Sequence, residues 1–460
     1  MLNIILSRTR IPMYKFYIWS IVAEFITYLT FDLSVIHVFN IKLSRLIQLL
    51  FLTLFVLEFL RNLHKFNAKF SISKYTIIFL FVITLSTFYY MLTSGYSEAA
   101  ELYHLKNFVS YENALILAYK LPLRELLVYM YLILYYLILP QIFIRSKIHI
   151  NYFFKVFERV FFWAILLGVS ALVFSYFEYQ LFSRQFNYGD GRYIGFRFHG
   201  IFGEPRDAAV ALIFSLAIFN IRAVYFGTLN LHYKHLLFLV FLIVMTKSGS
   251  LAIAIILFIP LFFLFSNDKV KLFNLKSILS TFLLVLVFTL YVFNSPRLLL
   301  YYDQVILIPE YLESGMILPY HIKNQIVNIY PFWLTYIKLI NFDFFTLFFG
   351  SGLGVNAIEV YPEGPYEFGT AHSQLTRLIY ETGIIGLISW SFMLFYFIRN
   401  YRYIITKRQW QALFFYFVLM CSVALSHRSH LIYIYTAIVF STYNILKNKP
   451  ISKHAYIKSS

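Results

Sequence analysis

The sequence predicts an all-α, polytopic integral membrane protein: one bundle of about 12 transmembrane helices over residues 1–460, with one large outer loop at 294–371. Three observations predict it. First, 60% of the 460 residues are hydrophobic and only 13% are charged, with a mean hydropathy of +0.70. A soluble domain carries roughly 45–50% apolar and about 25% charged residues. Second, apolar stretches approaching the roughly 20 residues that cross a bilayer core recur along the whole chain. Third, lysine and arginine gather in alternate connections between those stretches. A soluble enzyme and a disordered chain are both excluded. Length alone would suggest about three domains of roughly 150 residues, but one bundle absorbs the whole chain.

The spans are predicted at 17–38, 43–60, 75–93, 123–144, 156–178, 206–222, 235–247, 250–266, 277–293, 372–397, 410–426 and 430–446. Arg8, Arg10 and Lys15 precede the first. It is too long for a signal-peptide core and lacks a small-residue cleavage site, so it reads as an uncleaved anchor. With the N-terminus inside, the inner segments are 1–16, 61–74, 145–155, 222–234, 267–276, 398–409 and 447–460. They hold 23 of the 39 Lys and Arg residues. The 78-residue outer loop 294–371 has only Arg297, Lys323 and Lys338. This asymmetry puts both termini in the cytoplasm. Residues 235–266 can form one long helix or two short ones. A single crossing would move 267–276, 398–409 and the tail outside together, so two short helices or a re-entrant pair are expected. The break falls at Lys247-Ser248-Gly249-Ser250, and broken backbone at membrane depth is tolerated only against protein or a wet cavity.

The net charge of +18 would suggest nucleic acid in a soluble protein. Here the positive-inside distribution accounts for it and no nucleic-acid partner is expected. The single Cys421 lies in an apolar run, so no disulfide or cysteine-based metal framework can form. With 53 Phe and 39 Tyr beside many Ile and Lys, compositional bias gives single aromatics little weight. No internal repeat is visible, and the cytoplasmic loops are too short for a catalytic domain. The outer loop contains Pro296, Pro309, Pro319, Pro331, Pro362 and Pro365, so it is expected to form short interfacial helices, with 321–340 the best stretch. Chemistry is therefore expected outside the membrane or in a cavity open to that side.

One outer segment breaks the charge rule. Residues 179–206 carry Arg184, Arg192, Arg197 and Arg206, with His199 and no lysine. The guanidinium fork matches phosphate oxygens in bidentate fashion, so the segment points to a phosphate or pyrophosphate site at the outer boundary. The alternative is local pairing, Arg192 with Asp190 and Arg206 with Glu204 or Asp207. Pro205 suits a first helical turn, and Glu204 and Asp207 lie beside its positive end. Arg206 either completes a capped helix entry or faces a cavity. Lys247, at the break between two apolar runs, needs a partner or water; snorkelling to the interface is its other reading.

His372 lies in Gly369-Thr370-Ala371-His372-Ser373-Gln374, where the outer loop returns to the membrane. A neutral imidazole can take a proton from a sugar hydroxyl, although a lone histidine is more often a hydrogen-bonded structural residue. Arg377 and Glu381 stand at i, i+4 spacing and can simply pair on one helix face. Arg428, between His427 and His430, is ambiguous in the same way. Gly350-Ser351-Gly352-Leu353-Gly354 lacks the lysine and the strand–turn–helix setting of a nucleotide loop. It reads as a tight turn with positive φ. Gly383 and Gly386 are expected on a helix, letting neighbours approach closely. No HExxH or DxD pattern occurs at the outer face, so neither a metal nor a cofactor is indicated.

Together, Phe349-Gly350-Ser351-Gly352-Leu353-Gly354, then Ala371-His372-Ser373, then Glu381-Thr382-Gly383-Ile384-Ile385-Gly386-Leu387 resemble the O-antigen polymerase and ligase superfamily. Phe202-Gly203-Glu204-Pro205 before an apolar helix looks like the polymerase branch. The likeness covers about 190–265 and 345–397. It implies a GT-C-like glycosyltransferase that is metal-independent and works at the outer face of the bacterial cytoplasmic membrane. The donor would be an oligosaccharide on undecaprenyl pyrophosphate. The acceptor would be another lipid-linked repeat for a polymerase, or lipid A-core for a ligase. By position, His372 would match the family's general base, and Arg197 or Arg206 its pyrophosphate-binding arginine. Lys247 stands where many relatives have arginine in a Ser-Arg pair, a departure from the pattern. Arg192, Arg377 and Arg428 complete the expected pyrophosphate-binding set. A lateral opening for the lipid tail and inversion at the anomeric carbon follow from the resemblance. The expected partners are the lipid-linked oligosaccharide, the bilayer and a polysaccharide chain-length regulator. A ligase and a flippase of lipid-linked oligosaccharide are the competing readings; the long outer loop with its terminal histidine favours an enzyme over a transporter.

Overall fold

The structure, a computed structural model, describes residues 12–25, 43–61, 72–93, 101, 110–177, 198, 205–226, 238, 241–243, 245–246, 330–356, 374–398 and 430–447. Among these residues all regular secondary structure is helical. In chain order the elements are α1 (Met13–Val22), prolonged by a 3-10 turn (Ala23–Phe25); α2 (Leu43–Arg61); α3 (Lys74–Leu92); and α4 (Tyr111–Ile133), which runs through a π turn (Leu134–Ile138) into α5 (Leu139–Phe143). They continue as α6 (Lys147–Tyr176), α7 (Pro205–Phe226), α8 (Tyr330–Ile340), α9 (Phe344–Phe349), α10 (Gln374–Ile398) and α11 (His430–Lys447). Four helices among the described residues are long and apolar enough to cross a membrane: Lys74–Leu92, Tyr119–Phe143, Lys147–Phe174 and Gln374–Phe397. They coincide with the expected spans 75–93, 123–144, 156–178 and 372–397. Spans 43–60, 206–222 and 430–446 fall on α2, α7 and α11, and 17–38 begins on α1. Spans 250–266, 277–293 and 410–426 lie outside the described residues, as does most of 235–247.

Polarity is distributed as a bilayer demands. Phe81 and Phe88 on α3, Leu127 on α4, Phe162 and Trp163 on α6 and Phe395 on α10 are exposed. Glu24, Gln48, Glu125, Arg377 and Glu381 are buried. Lipid tails are as apolar as these exposed side chains, so helix association rests on close packing and on interhelical hydrogen bonds. The core opens on an aromatic knot: the Tyr17 ring lies 5.1 Å from Phe51, 5.6 Å from Tyr135 and 5.0 Å from Phe143. α10 packs along α3 and receives α9 on its side; α11 packs against α7 and the π turn.

Two helices extend beyond their expected apolar spans. α4 starts at Tyr111 rather than near 123, because Ser110 accepts from the Asn113 amide at 3.4 Å. α6 starts at Lys147 rather than near 156, because Ser146 accepts from the His149 amide at 3.3 Å. Only 144–146 lie between the two helices, and the rest of the segment expected at 145–155 is helical. At 30 residues, α6 is roughly 45 Å long against a hydrocarbon core of about 30 Å, so its basic first turns extend beyond the core. Hydropathy marks lipid contact; helix ends are set by caps.

The π turn has a local cause. Pro140 has no amide hydrogen, and its ring would strike the carbonyl four residues back in a regular helix. Widening the turn removes the clash, and the Leu139 amide reaches back to the Leu134 carbonyl. In that register residue 140 would bond to the Tyr135 carbonyl, which proline cannot do. The Tyr17 hydroxyl donates to that carbonyl instead, at 2.6 Å.

Candidate functional site

The candidate site is the N-terminal arm of α10, Gln374–Thr382, and it exists because the helix is broken. Gly383 has φ 66° and ψ −174°, a conformation open essentially to glycine alone. Gly383 is thus a break between two helical arms, not the small residue in a regular helix that the sequence suggested. A break leaves carbonyls that lipid cannot satisfy. Here protein donors take them. The Ser351 amide donates to the Tyr380 carbonyl at 3.0 Å, and the Ser351 hydroxyl donates to it at 3.1 Å. The Gly352 amide donates to the Glu381 carbonyl at 3.1 Å, and the Ser86 hydroxyl of α3 adds a bond at 2.8 Å.

The donor loop is shaped by the expected turn: Gly350, Gly352 and Gly354 have φ of 87°, 106° and 80°. It follows α9 directly. Asp343 caps α9 by accepting from the Thr346 amide at 2.8 Å. Hydrogen bonds from Thr346, side chain first and amide second, hold the Asp343 carboxyl below its usual range. Downstream, Asn356 is buried and donates to Thr335 of α8 at 3.0 Å. The 350–354 loop and the 381–383 break therefore form one interlocked unit. A Cβ at Gly350 would lie 2.3 Å from the Glu381 carbonyl oxygen, and one at Gly383 would lie 2.3 Å from that of Phe348.

On the arm so fixed, residues 374, 377 and 381 share a face by i, i+3, i+7 spacing. The Arg377 Nε donates to Glu381 Oε1 at 3.0 Å, and Nη2 donates to the same oxygen. The pair is 3% and 1% exposed. Gln374 Nε2 donates to the Tyr129 hydroxyl of α4 at 3.2 Å. Two acceptors in this row, Gln374 Oε1 and Glu381 Oε2, are buried without a hydrogen-bond partner.

A second polar cluster lies on the other side of α4. Glu24 Oε1 stands 3.4 Å from Arg45 Nη2, and Gln48 Nε2 donates to Glu24 Oε2 at 3.0 Å and to the Tyr136 hydroxyl at 2.7 Å. Arg45 covers the Tyr131 ring at 5.0 Å, and Tyr131 donates to Gln48 Oε1. The His430 ring lies 5.6 Å from that of Tyr136. Sequence reasoning missed this cluster. The available signals were an acid inside an apolar span, Glu24, and the Arg45/Gln48 pair at the head of the next span; ionisable groups at such depth are rare and need partners.

Of the expected site residues, Arg377 is fully placed, and its guanidinium is joined to Glu381 as the i, i+4 spacing allowed. Arg206 is the second residue of α7, which Pro205 opens as expected; its side chain is outside the described set. Arg192, Arg197, Lys247, His372 and Arg428 lie outside the described residues. One bond bears on two of them. The amide of Phe198, next to Arg197, donates to the carbonyl of Met245, two residues before Lys247, at 2.8 Å. Phe198 and Thr246 are fully buried. The bond joins position 198, one residue after Arg197, to position 245, two residues before Lys247. Among the described residues no three His, Cys, Asp or Glu side chains gather as a metal ion would require. Compared with protein-family models, with curated proteins and with solved structures, the chain matches none.

Proposed function

We propose that the chain is a metal-independent glycosyltransferase of the O-antigen polymerase type. In this reading a GT-C-like bundle of about 12 spans sits in the bacterial cytoplasmic membrane with both termini inside. It joins undecaprenyl-pyrophosphate-linked repeats into a surface polysaccharide at the outer face. The observation that supports it best is the interlock. The two glycine blocks on which the resemblance rests, 349–354 and 381–387, meet in space, and the arm they fix begins two residues after His372. The Phe198–Met245 bond adds support, because it brings a position next to Arg197 to one two residues before Lys247.

The chemistry follows from these residue types. The acceptor hydroxyl loses its proton to the His372 imidazole, and its oxygen attacks the anomeric carbon of the donor glycan. The bond from that carbon to the pyrophosphate oxygen breaks, and the electron pair leaves with undecaprenyl pyrophosphate. Arg197 and Arg206, aided by Arg192, Lys247 and Arg428, balance the charge that builds on the leaving oxygen. Fixed guanidinium groups in a partly dry site do this without reorganising. Arg377, committed to Glu381, serves the architecture of the arm.

A deletion strain complemented with the chain tests the proposal. Loss of long polymer with single repeats still attached to lipid A-core identifies a polymerase. Loss of all attached repeats identifies a ligase, and unflipped precursor inside the cell identifies a flippase. Arg197→Ala, Arg206→Ala and His372→Ala should each abolish chain extension at normal membrane levels. Near-normal polymer from all three refutes the site.

A further inference from the structure

Buried polar atoms without partners are rare in folded proteins, and each asks for an explanation. The N-terminal arm of α10 holds two in one row, Gln374 Oε1 and Glu381 Oε2, on side chains 1% exposed. Both are acceptors, and neighbouring donor groups bond to other atoms. Gln374 Nε2 is spent on Tyr129, and both the Nε and Nη2 bonds of Arg377 go to Glu381 Oε1, the other oxygen of that carboxylate. The arm cannot turn to improve its own bonding, because its carbonyl end is tied to Ser351, Gly352 and Ser86 and its break is locked at Gly383. The cost of an unmet buried acceptor, about 1–3 kcal/mol and more for a charged one, is therefore retained until a donor arrives.

We infer that the N-terminal arm of α10 is a hydroxyl-binding subsite, in which Gln374 Oε1 and Glu381 Oε2 accept hydrogen bonds from a sugar of the oligosaccharide substrate while Arg377 fixes Glu381. The assignment rests on the glycosyl-transfer reading for the identity of the polyol, and on the two open acceptors for its place. Seven residues of helix separate them, roughly 10 Å of rise, so different hydroxyls of an extended glycan fill the row rather than one bridging atom. Both oxygens are sealed from solvent. Sugar entry therefore requires the packing over them to open, and association runs slower than diffusion.

The test uses the purified full-length chain in detergent. Methyl glycosides of glucose, galactose, N-acetylglucosamine and rhamnose are titrated separately while thermal unfolding is followed, since a ligand of the folded state raises the midpoint in a saturable way. At least one glycoside should stabilise the wild-type chain. Glu381→Gln puts a donor amide where the open oxygen stood with little change of shape, and Gln374→Met removes the other acceptor. Each should raise the half-saturating concentration about tenfold or more, the loss of one bond to a buried acceptor. Two variants keep the test alive should one fail to fold. No saturable shift with any glycoside, or unchanged half-saturation in the folded variants, overturns the subsite. The readout needs no turnover. A chain that restores polymer in cells yet binds no glycoside loses only the subsite; one that binds saturably yet restores no polymer loses only the transfer reading.

Discussion

Replacing Gly383 with alanine tests the interlock most sharply. Two costs add. The backbone at φ 66°, ψ −174° belongs to a region that a side chain enters at about 1–3 kcal/mol. The new methyl also has nowhere to go: it would lie 2.3 Å from the Phe348 carbonyl oxygen, 2.4 Å from its carbon and 2.6 Å from the Phe349 nitrogen. All three atoms are backbone, so α9 itself must shift, an overpacking cost of about 1–3 kcal/mol. The expected loss is roughly 2–6 kcal/mol. Gly354→Ala is the control. It also has positive φ, but its methyl meets side chains and no backbone, Leu121 at 3.1 Å and Glu125 at 3.2 Å, so about 1–2 kcal/mol is expected. Thermal unfolding of the full-length chain in detergent, followed by intrinsic fluorescence and by loss of the monodisperse peak, ranks the two. Gly350→Ala should resemble Gly383→Ala, because its methyl strikes the Glu381 carbonyl group. The double variant should cost much less than the sum, since one substitution already parts the segments. A Gly383→Ala midpoint at or above that of Gly354→Ala refutes the interlock.

Three further outcomes follow from other contacts. Ser86→Ala removes the 2.8 Å bond to the Glu381 carbonyl and should cost about 1 kcal/mol, read as a lower unfolding midpoint that is non-additive with Gly383→Ala. Arg45→Met leaves the Glu24 carboxylate, 3% exposed, without its cation and should cost about 3 kcal/mol. Glu24→Gln leaves only an arginine that is 30% exposed and should cost about 1 kcal/mol; equal losses would contradict the burial difference. The Asp343 carboxyl is lowered in the folded chain by Thr346. Its stabilising charge is therefore fully present above the ordinary carboxylate value near about pH 4 and is lost as pH falls through the lowered folded value. Asp343→Asn, a comparable cap without a titrating group, should match wild type in neutral buffer and lack this acid-dependent component of the unfolding midpoint.

The sequence told more about lipid contact than about backbone. Apolar runs marked α3 and α10 to within two residues, because mean hydropathy measures what faces the bilayer. The same measure does not show where α4 and α6 begin, because Ser110 and Ser146 set those helix ends outside the apolar runs. The positive φ of Gly350, Gly352 and Gly354 was legible, since three glycines in five residues outside an apolar run have few other uses. Gly383 was not. Inside an apolar run, a glycine that breaks a helix and one that lets helices approach look alike. The Arg377–Glu381 pair was visible in its spacing. The Glu24–Arg45 cluster is hidden because a single charge barely moves a window average, and because so aromatic a chain gives no one tyrosine weight.

The two polar clusters share a scaffold, and this bears on why α4 is distorted. Tyr129 meets Gln374 on the α10 side, while Tyr131 and Tyr136 meet Gln48 on the α2 side. All three tyrosines stand on one stretch of α4 and its π turn. A regular helix through Pro140 would set that ring against the carbonyl of Tyr136 and would need the hydrogen bond that proline cannot form. Widening the turn spares the Tyr136 carbonyl and exposes that of Tyr135, which Tyr17 then anchors to α1. The distortion thus fixes the π turn to α1 at the level of the tyrosines that serve the Gln48 cluster, a few residues below Tyr129. Helix α10 is distorted by a different device, a glycine break stabilised by a neighbouring loop. In both cases the irregular backbone is satisfied by protein hydrogen bonds, the condition a bilayer imposes, and buried ionisable side chains lie within reach of the distortion.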